Sequence, residues 1–353
     1  MSLKDRLLRQ IAVDGPMSLA EYMQACLLDP KHGYYTKQDP LGAAGDFTTA
    51  PEMSQMFGEL LGLSLAQAWM AQGSGACVLA ELGPGRGTLM ADMLRAMRAL
   101  PYLQPDVHLV EASSALREVQ RDTLEGYNVT WHDNVSELPQ APLFLVANEF
   151  FDALPIRQFV RDGRGWAERR VGAKDELLQF GLTEPVPMEA LAPRLADTGD
   201  GDIVEICASA GPIMSEIGAR IEAHGGATII VDYGDWRSKG DTFQAVKAHM
   251  PCDPLEAPGA ADLTAHVDFE ALSLAAHCAV SQMTTQGALL NALGIGPRAQ
   301  KLAERLDDAG DIKGLETHLA AYKRLTDPDE MGNLFKAIAL YPQRAAPPPG
   351  FTP

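Results

Sequence analysis

Between an apolar segment, Cys77-Val78-Leu79-Ala80, and an amphipathic one opening at Thr88, the chain carries Glu81-Leu82-Gly83-Pro84-Gly85-Arg86-Gly87. Strand, glycine turn and helix in that order make the setting of a nucleotide-binding loop. Glycines let a backbone approach a ligand closely and take positive φ freely. The spacing here is G-x-G-x-G. A dinucleotide site wants G-x-G-x-x-G, and its third small position falls on Thr88. A carboxylate two residues before the first glycine repels a pyrophosphate and suits a cation. S-adenosylmethionine carries a sulfonium and an ammonium and has no phosphate, so Glu81, Gly83, Gly85 and Gly87 point to that cofactor over NAD.

Three further strand ends carry chemistry. Glu111, after Leu109-Val110, can accept from both hydroxyls of a ribose. Asp133, after His132, can accept from an adenine amino group or simply make an Asx turn. The fourth strand ends in Asn148-Glu149-Phe150-Phe151-Asp152-Ala153-Leu154-Pro155, two carboxylates and an amide around two aromatics. Aromatics exclude water and flank planar cations, and carboxylates accept the paired donors of a guanidinium. Glu149 and Asp152 are therefore the candidate catalytic acids, with Asn148 beside the cofactor and Phe150 lining the acceptor pocket. Tyr233, in Asp232-Tyr233-Gly234, either lines that pocket or closes it. His266 is either a base or a structural neighbour of Asp268, a helix N-cap. The histidines lack metal-ligand spacing and the five cysteines lack a C-x-x-C pair, so no metal site is expected.

These residues need a scaffold. From 76 onward, strands (Cys77–Glu81, Val107–Ala112, Val129–His132, Leu143–Asn148) alternate with helices (Thr88–Leu100, Ser114–Leu124), which predicts an α/β fold around a parallel sheet. Ligands bind beyond the carboxyl ends of such strands, where all of these candidates fall. A hairpin-like insertion at about 156–200 follows. The α/β pattern resumes with Ile203–Ile206, helix Ala210–Ala223, strand Thr228–Asp232, helix Phe269–Ala276 and strand Val280–Thr284, and closes on strand Leu334–Leu340. Residues 1–75 read as a helical cap. Ser18-Leu19-Ala20-Glu21 and Thr49-Ala50-Pro51-Glu52 both have capping-box spacing, and Met53, Met56, Phe57, Leu60 and Trp69 form a core stripe. The proline-rich tail, 344–353, is expected to be disordered.

At 353 residues and 46% apolar content the chain can bury a full core. A formal charge of −18 argues against nucleic acid. With no apolar run long enough to span a bilayer and no signal-peptide core, the expected location is the bacterial cytoplasm.

Four motifs carry a resemblance: Gly45-Asp46-Phe47-Thr48-Thr49-Ala50-Pro51-Glu52-Met53-Ser54-Gln55-Met56-Phe57-Gly58-Glu59, the Glu81–Leu89 loop, Asn148–Pro155 and Val231-Asp232-Tyr233-Gly234. In this order, over roughly Leu19 to Tyr341, the chain resembles the MidA family of class I S-adenosylmethionine methyltransferases, which includes the mitochondrial complex I assembly methyltransferase. The resemblance implies a Rossmann-like, seven-stranded sheet with an antiparallel last strand, a helical N-terminal cap and an inserted β/α substrate region. It implies S-adenosylmethionine as cofactor and a protein substrate presenting an arginine, on a complex I subunit for the mitochondrial relative. The segment carrying Asp46, Thr49 and Gln55 would cover the cofactor and border the substrate pocket; the same residues are also ordinary capping and turn chemistry. Two other readings stay open: a non-catalytic assembly factor that keeps the fold, and an NAD-linked oxidoreductase.

Overall fold

The computed structural model describes residues 1–37, 49–100 and 102–353. In chain order its main elements are α1 (Leu3–Asp14), α2 (Leu19–Leu28), α3 (Gln55–Ala71), β1 (Val78–Leu82), α4 (Thr88–Met97), β2 (Asp106–Val110), α5 (Ser114–Thr123), β3 (Val129–His132) and β4 (Leu143–Asn148). Then come β5 (Arg157–Asp162), β6 (Gly165–Lys174), β7 (Leu177–Leu182), β8 (Ile203–Ile206), α6 (Ala210–His224), β9 (Gly226–Asp235), α7 (Phe269–Ala275), α8 (Gln286–Ala292), α9 (Ile295–Asp308), α10 (Ile312–Thr326) and β10 (Phe335–Tyr341).

The central sheet runs Ala279–Val280, β10, β9, β4, β1, β2, β3. β9, β4, β1, β2 and β3 are parallel and β10 is antiparallel to β9, the expected Rossmann-like layout; the sheet counts nine strands rather than seven, because the short pieces Val267–Asp268 and Thr284–Thr285 add to β9 and β10. Strand alternation sorts the two faces. Leu79, Phe144 and Val146 pack on α3 and α4, while Val78, Ala80, Leu82 and Leu145 pack on α6. The Met56–Trp69 stripe of α3 is buried core, as its periodicity predicts. The chain leaves β1 toward β2 and β3, then returns through β4 to β1's other side. That reversal opens a crevice between the carboxyl ends of β1 and β4.

Several expectations are corrected. Ile203–Ile206 does not rejoin the central sheet; it pairs antiparallel with β5 in a second sheet containing β6, β7 and Met17–Ser18. Its four residues carry no signal that separates a parallel from an antiparallel partner. A small sheet of Gln244–Lys247, Met250–Cys252 and Asp262–Thr264 was not foreseen; its strands are too short to show a period. Its residues Ala245 and Leu263 share a core with Leu3, Leu7, Tyr22 and Met23 of α1 and α2. α3 belongs to the central layers, so only the residues before it cap the fold. Thr49 makes no side-chain cap bond; the Glu52 N–H goes to the Thr49 carbonyl at 3.0 Å, and the Glu52 carboxylate accepts from the Thr88 hydroxyl. Ser54 starts a new helix, α3, by accepting from Met56 N–H. The strand expected over Val280–Thr284 is two short pieces, 279–280 and 284–285. The tail is not frayed: Phe351 is buried, and the Ser64 hydroxyl donates to Pro349 O at 2.7 Å.

Candidate functional site

A cavity of about 510 Å³ occupies the crevice at the carboxyl ends of β1, β2, β3 and β4. Register aligns these ends: Leu82 lies beside Val110 and Ala147, and Val110 beside His132. Of the residues chosen from sequence, Glu81, Gly83, Gly85, Glu111, Asp133, Asn148, Glu149, Phe150 and Thr49 line it. Gly87, Asp152, Tyr233, His266 and Gln55 do not, and Asp46 lies outside the described residues.

Glu81 faces the α3/α4 side of β1, where alternation would place an apolar residue. It is 3% exposed, and its Oε2 has no hydrogen-bond partner. Burial, with Glu111 nearby, pushes its carboxyl up to about 8. Glu111 is held by Ser113 N–H at 2.7 Å and by Gln120 Nε2 at 3.2 Å. Gly83 takes φ +58°, and a Cβ there would sit 2.9 Å from the Phe150 ring, so the loop lies directly against the aromatic wall. Gly87 N-caps α4 and packs on Gln120 and Leu124, away from the cavity. Asp133 is at the rim, paired with Arg117 at 2.5 Å.

Across the crevice Glu149 adopts φ +51°, a costly conformation for a non-glycine residue that aims its side chain at the cavity. Asn148 Nδ2 donates to it at 3.1 Å, and the Ala50 N–H bonds it too. Burial, with Asp262 nearby, raises its carboxyl to about 7. Asp152 and Asp232 lie behind it, both pushed upward by burial and by each other's charge or that of Glu149. Among the described residues no lysine or arginine pairs with Glu149, Asp152 or Asp232. Tyr233 is wedged between the rings of His266 and Phe335, and its hydroxyl, near Asp152 and Thr264, makes no well-formed hydrogen bond. It closes the chamber from behind. His266 is held through its N–H on the Thr242 hydroxyl, outside the cavity, while Asp268 caps α7 as expected.

A family of S-adenosyl-L-methionine-dependent methyltransferases matches residues 60–289. The mitochondrial protein arginine methyltransferase NDUFAF7 of Danio rerio is 39% identical over 96% of this chain and 86% of its own. Its Homo sapiens counterpart is 37% identical over 96% and 83%. A crystal structure of a Burkholderia thailandensis protein bound to S-adenosyl-homocysteine superposes with a TM-score of 0.84, at 30% identity over 97% of this chain and 92% of that one. The chain belongs to this methyltransferase family. An NAD-linked oxidoreductase is thereby set aside. The cytoplasmic expectation is corrected as well, since these curated relatives are mitochondrial proteins. Among the described residues, no helix is long and apolar enough to cross a membrane, and no group of His, Cys, Asp and Glu is placed to hold a metal.

The methyltransferase's residues fit S-adenosylmethionine. The unpartnered Oε2 of Glu81 and Oδ1 of Asn148 are buried acceptors without donors, a costly state that a cationic or amine-bearing guest relieves. Arg86 is the one cation among the described lining residues, against Glu52, Glu81, Glu111, Asp133 and Glu149. Gly83→Ala is expected to weaken S-adenosylhomocysteine binding by about tenfold in calorimetry, since a left-handed Ala costs roughly 1–2 kcal/mol and Phe150 must move. Sequence reasoning missed Tyr35 and Asp262, which lie far from any glycine loop or strand-end motif. It also passed over Asp232, which had been read only as the neighbour of Tyr233.

The raised carboxyls set a pH dependence. Folded Glu81 and Glu149 keep protons that the unfolded chain, at the ordinary 4.5, has already released. Their stabilising contribution is whole below about 4.5 and is lost as pH rises through their folded values, about 8 for Glu81 and about 7 for Glu149. The ligand-free melting temperature is therefore expected to fall by several degrees between pH 6.5 and 8.5. Glu81→Gln is expected to flatten part of that fall in a thermal-shift series.

Proposed function

We propose that this methyltransferase N-methylates an arginine on a protein, with a respiratory complex I subunit as the candidate that the resemblance implies. The observation that carries the reading is Glu149: a buried carboxylate on the cavity wall, opposite the glycine loop, with no basic partner among the described residues. Such a group calls for a cation from outside. The similar proteins of Danio rerio and Homo sapiens are protein arginine methyltransferases, which supports the same acceptor.

Glu81, Gly83, Gly85, Glu111 and Asn148 are proposed to hold S-adenosylmethionine, which when bound supplies a methyl carbon made electrophilic by its sulfonium. An arginine side chain, pKa above 12, offers no free lone pair. Glu149 then holds the guanidinium, draws its positive charge away from the attacking nitrogen and receives the proton that nitrogen sheds. A carboxyl near 7 suits both tasks at neutral pH. Asp152, pushed upward by burial and by Asp232 and Glu149, stands behind Glu149 as a second acid that an arriving cation favours in its charged form, and Phe150 walls the acceptor off from water. Incubation with methyl-labelled cofactor and mitochondrial or cell lysate, followed by mass spectrometric site mapping, tests this. Label on an arginine supports it, and label confined to lysine, carboxyl or small-molecule acceptors rejects it.

A further inference from the structure

Tyr35 touches both halves of the site. It lies in the short helix Tyr34–Lys37, which packs on α5. Its carbonyl accepts from the Ser113 hydroxyl at 2.8 Å, and Ser113 N–H holds Glu111 at 2.7 Å. Its own hydroxyl donates to Asp262 Oδ1 at 2.8 Å. Asp262 is buried, and its charge bears on Glu149 and Asp152. One residue thus spans from the ribose acid to the acceptor acids, and Tyr35 itself lines the cavity. Thr36 fixes the short helix to the end of α2, its hydroxyl donating to Asp29 O at 2.7 Å. A second crossing lies close by: Glu52 takes the Thr88 hydroxyl at 2.5 Å, while Ala50 N–H serves Glu149. A buried tyrosine with a purely structural role looks different. Tyr22, in the same cap, spends its hydroxyl on a backbone carbonyl, Pro254 O.

We propose that Tyr35 is a positioning residue that couples the cofactor half to the acceptor half. Ordering of Glu111 and Ser113 fixes its carbonyl, and its hydroxyl then fixes Asp262 where a cationic acceptor is drawn toward Glu149. The proposal rests on Glu149 facing the acceptor and does not need that acceptor to be arginine.

Hydrogen–deuterium exchange on wild type, Tyr35→Phe and Tyr22→Phe, with and without saturating S-adenosylhomocysteine, tests it. In all three, the ligand is expected to protect 81–90 and 110–117, which also shows that the variants fold. Protection by roughly tenfold or more is expected at 33–37 in all three, because the Tyr35 carbonyl is unchanged, and at 261–265 in wild type and Tyr22→Phe, whereas at 261–265 it is lost in Tyr35→Phe. In methyl-transfer assays Tyr35→Phe should raise the acceptor KM about tenfold and leave S-adenosylhomocysteine affinity within about twofold. Three results overturn the coupling. These are protection reaching 261–265 equally in Tyr35→Phe, no protection there in wild type, or a loss of cofactor affinity as large as the acceptor defect. Failure of the arginine reading would appear separately, in the site of label, with the exchange pattern intact.

Discussion

Glu149→Gln is expected to bind S-adenosylhomocysteine as wild type does and to transfer methyl groups about 10²–10³ times more slowly, the scale of losing one preorganised electrostatic partner. The substitution is nearly isosteric. The glutamine Oε1 can still accept from Asn148 Nδ2 and Ala50 N–H, and the backbone N–H stays on Val231 O at 3.0 Å. What changes is the remaining position, which turns from a charged acceptor into an N–H₂ donor facing an incoming cation. Binding and charge localisation fail together, so both KM and kcat should suffer. A second signature is the pH profile. Wild-type single-turnover rates should climb as Glu149 deprotonates near pH 7 and then level; the glutamine variant should lack that limb. Equal turnover by the two proteins would remove Glu149 from the mechanism.

The same carboxylate explains why the site is costly to keep. A group of mutually repelling acids, buried without a lysine or arginine on three of its members, is tolerable only because some of them hold protons until a cation arrives. Glu149 adds backbone strain at φ +51°. Local rules of composition and alternation are broken at Glu81, Glu149 and Asp232, all toward the carboxyl edge of one sheet, while the strands below them are apolar apart from the buried His108 and Thr228. Strain and unpaired charge concentrated where a ligand must enter mark pre-organisation for that ligand.

This contrast decides what could be read from residues alone. β3 and β4 have the predicted bounds, since each is an apolar or alternating run closed by turn residues. The cofactor loop was legible because its glycines and acid sit within seven consecutive residues. The insertion was only half legible: the Gly163 turn marks β5 and β6 as a hairpin, yet nothing local tells β8 to pair with β5 across some forty intervening residues. Asp262 was invisible for the same reason. It reaches the acceptor side through the 227-residue separation to Tyr35, a tertiary fact with no sequence period. The tail misled in the opposite direction. Its prolines forbid helix and strand, but Phe351 and a carbonyl of Pro349 are enough to dock it on the helical layer. His266 stood next to a correctly recognised cap, and adjacency in sequence did not bring it to the cavity.

Asp232→Ala is expected to destabilise the fold by roughly 3–5 kcal/mol, the range for removing one partner of a buried charged network, and to abolish measurable methyl transfer. Asp232 is 0% exposed, three residues before the end of β9. Its Oδ2 accepts the N–H groups of Phe150, Phe151 and Asp152 at 3.2, 3.0 and 3.3 Å, and its Oδ1 accepts that of Tyr233 at 3.0 Å. One carboxylate therefore shapes the turn that carries Glu149, the Phe150 wall and Asp152. Alanine leaves four buried N–H groups without acceptors, and no neighbouring carbonyl is placed to take all of them. With its anchor gone the turn can relax from the left-handed geometry at Glu149, and a displacement of about 1 Å there is enough to cost on the order of 10² in rate. Asp232→Asn should fall between, because its amide oxygen can still serve the three loop N–H groups while its N–H₂ opposes Tyr233 N–H. Chemical denaturation and single-turnover assays on the two variants separate the contributions. Wild-type stability in the alanine variant would mean that the turn holds its shape unaided, and the account of how Glu149 is aimed would then fail.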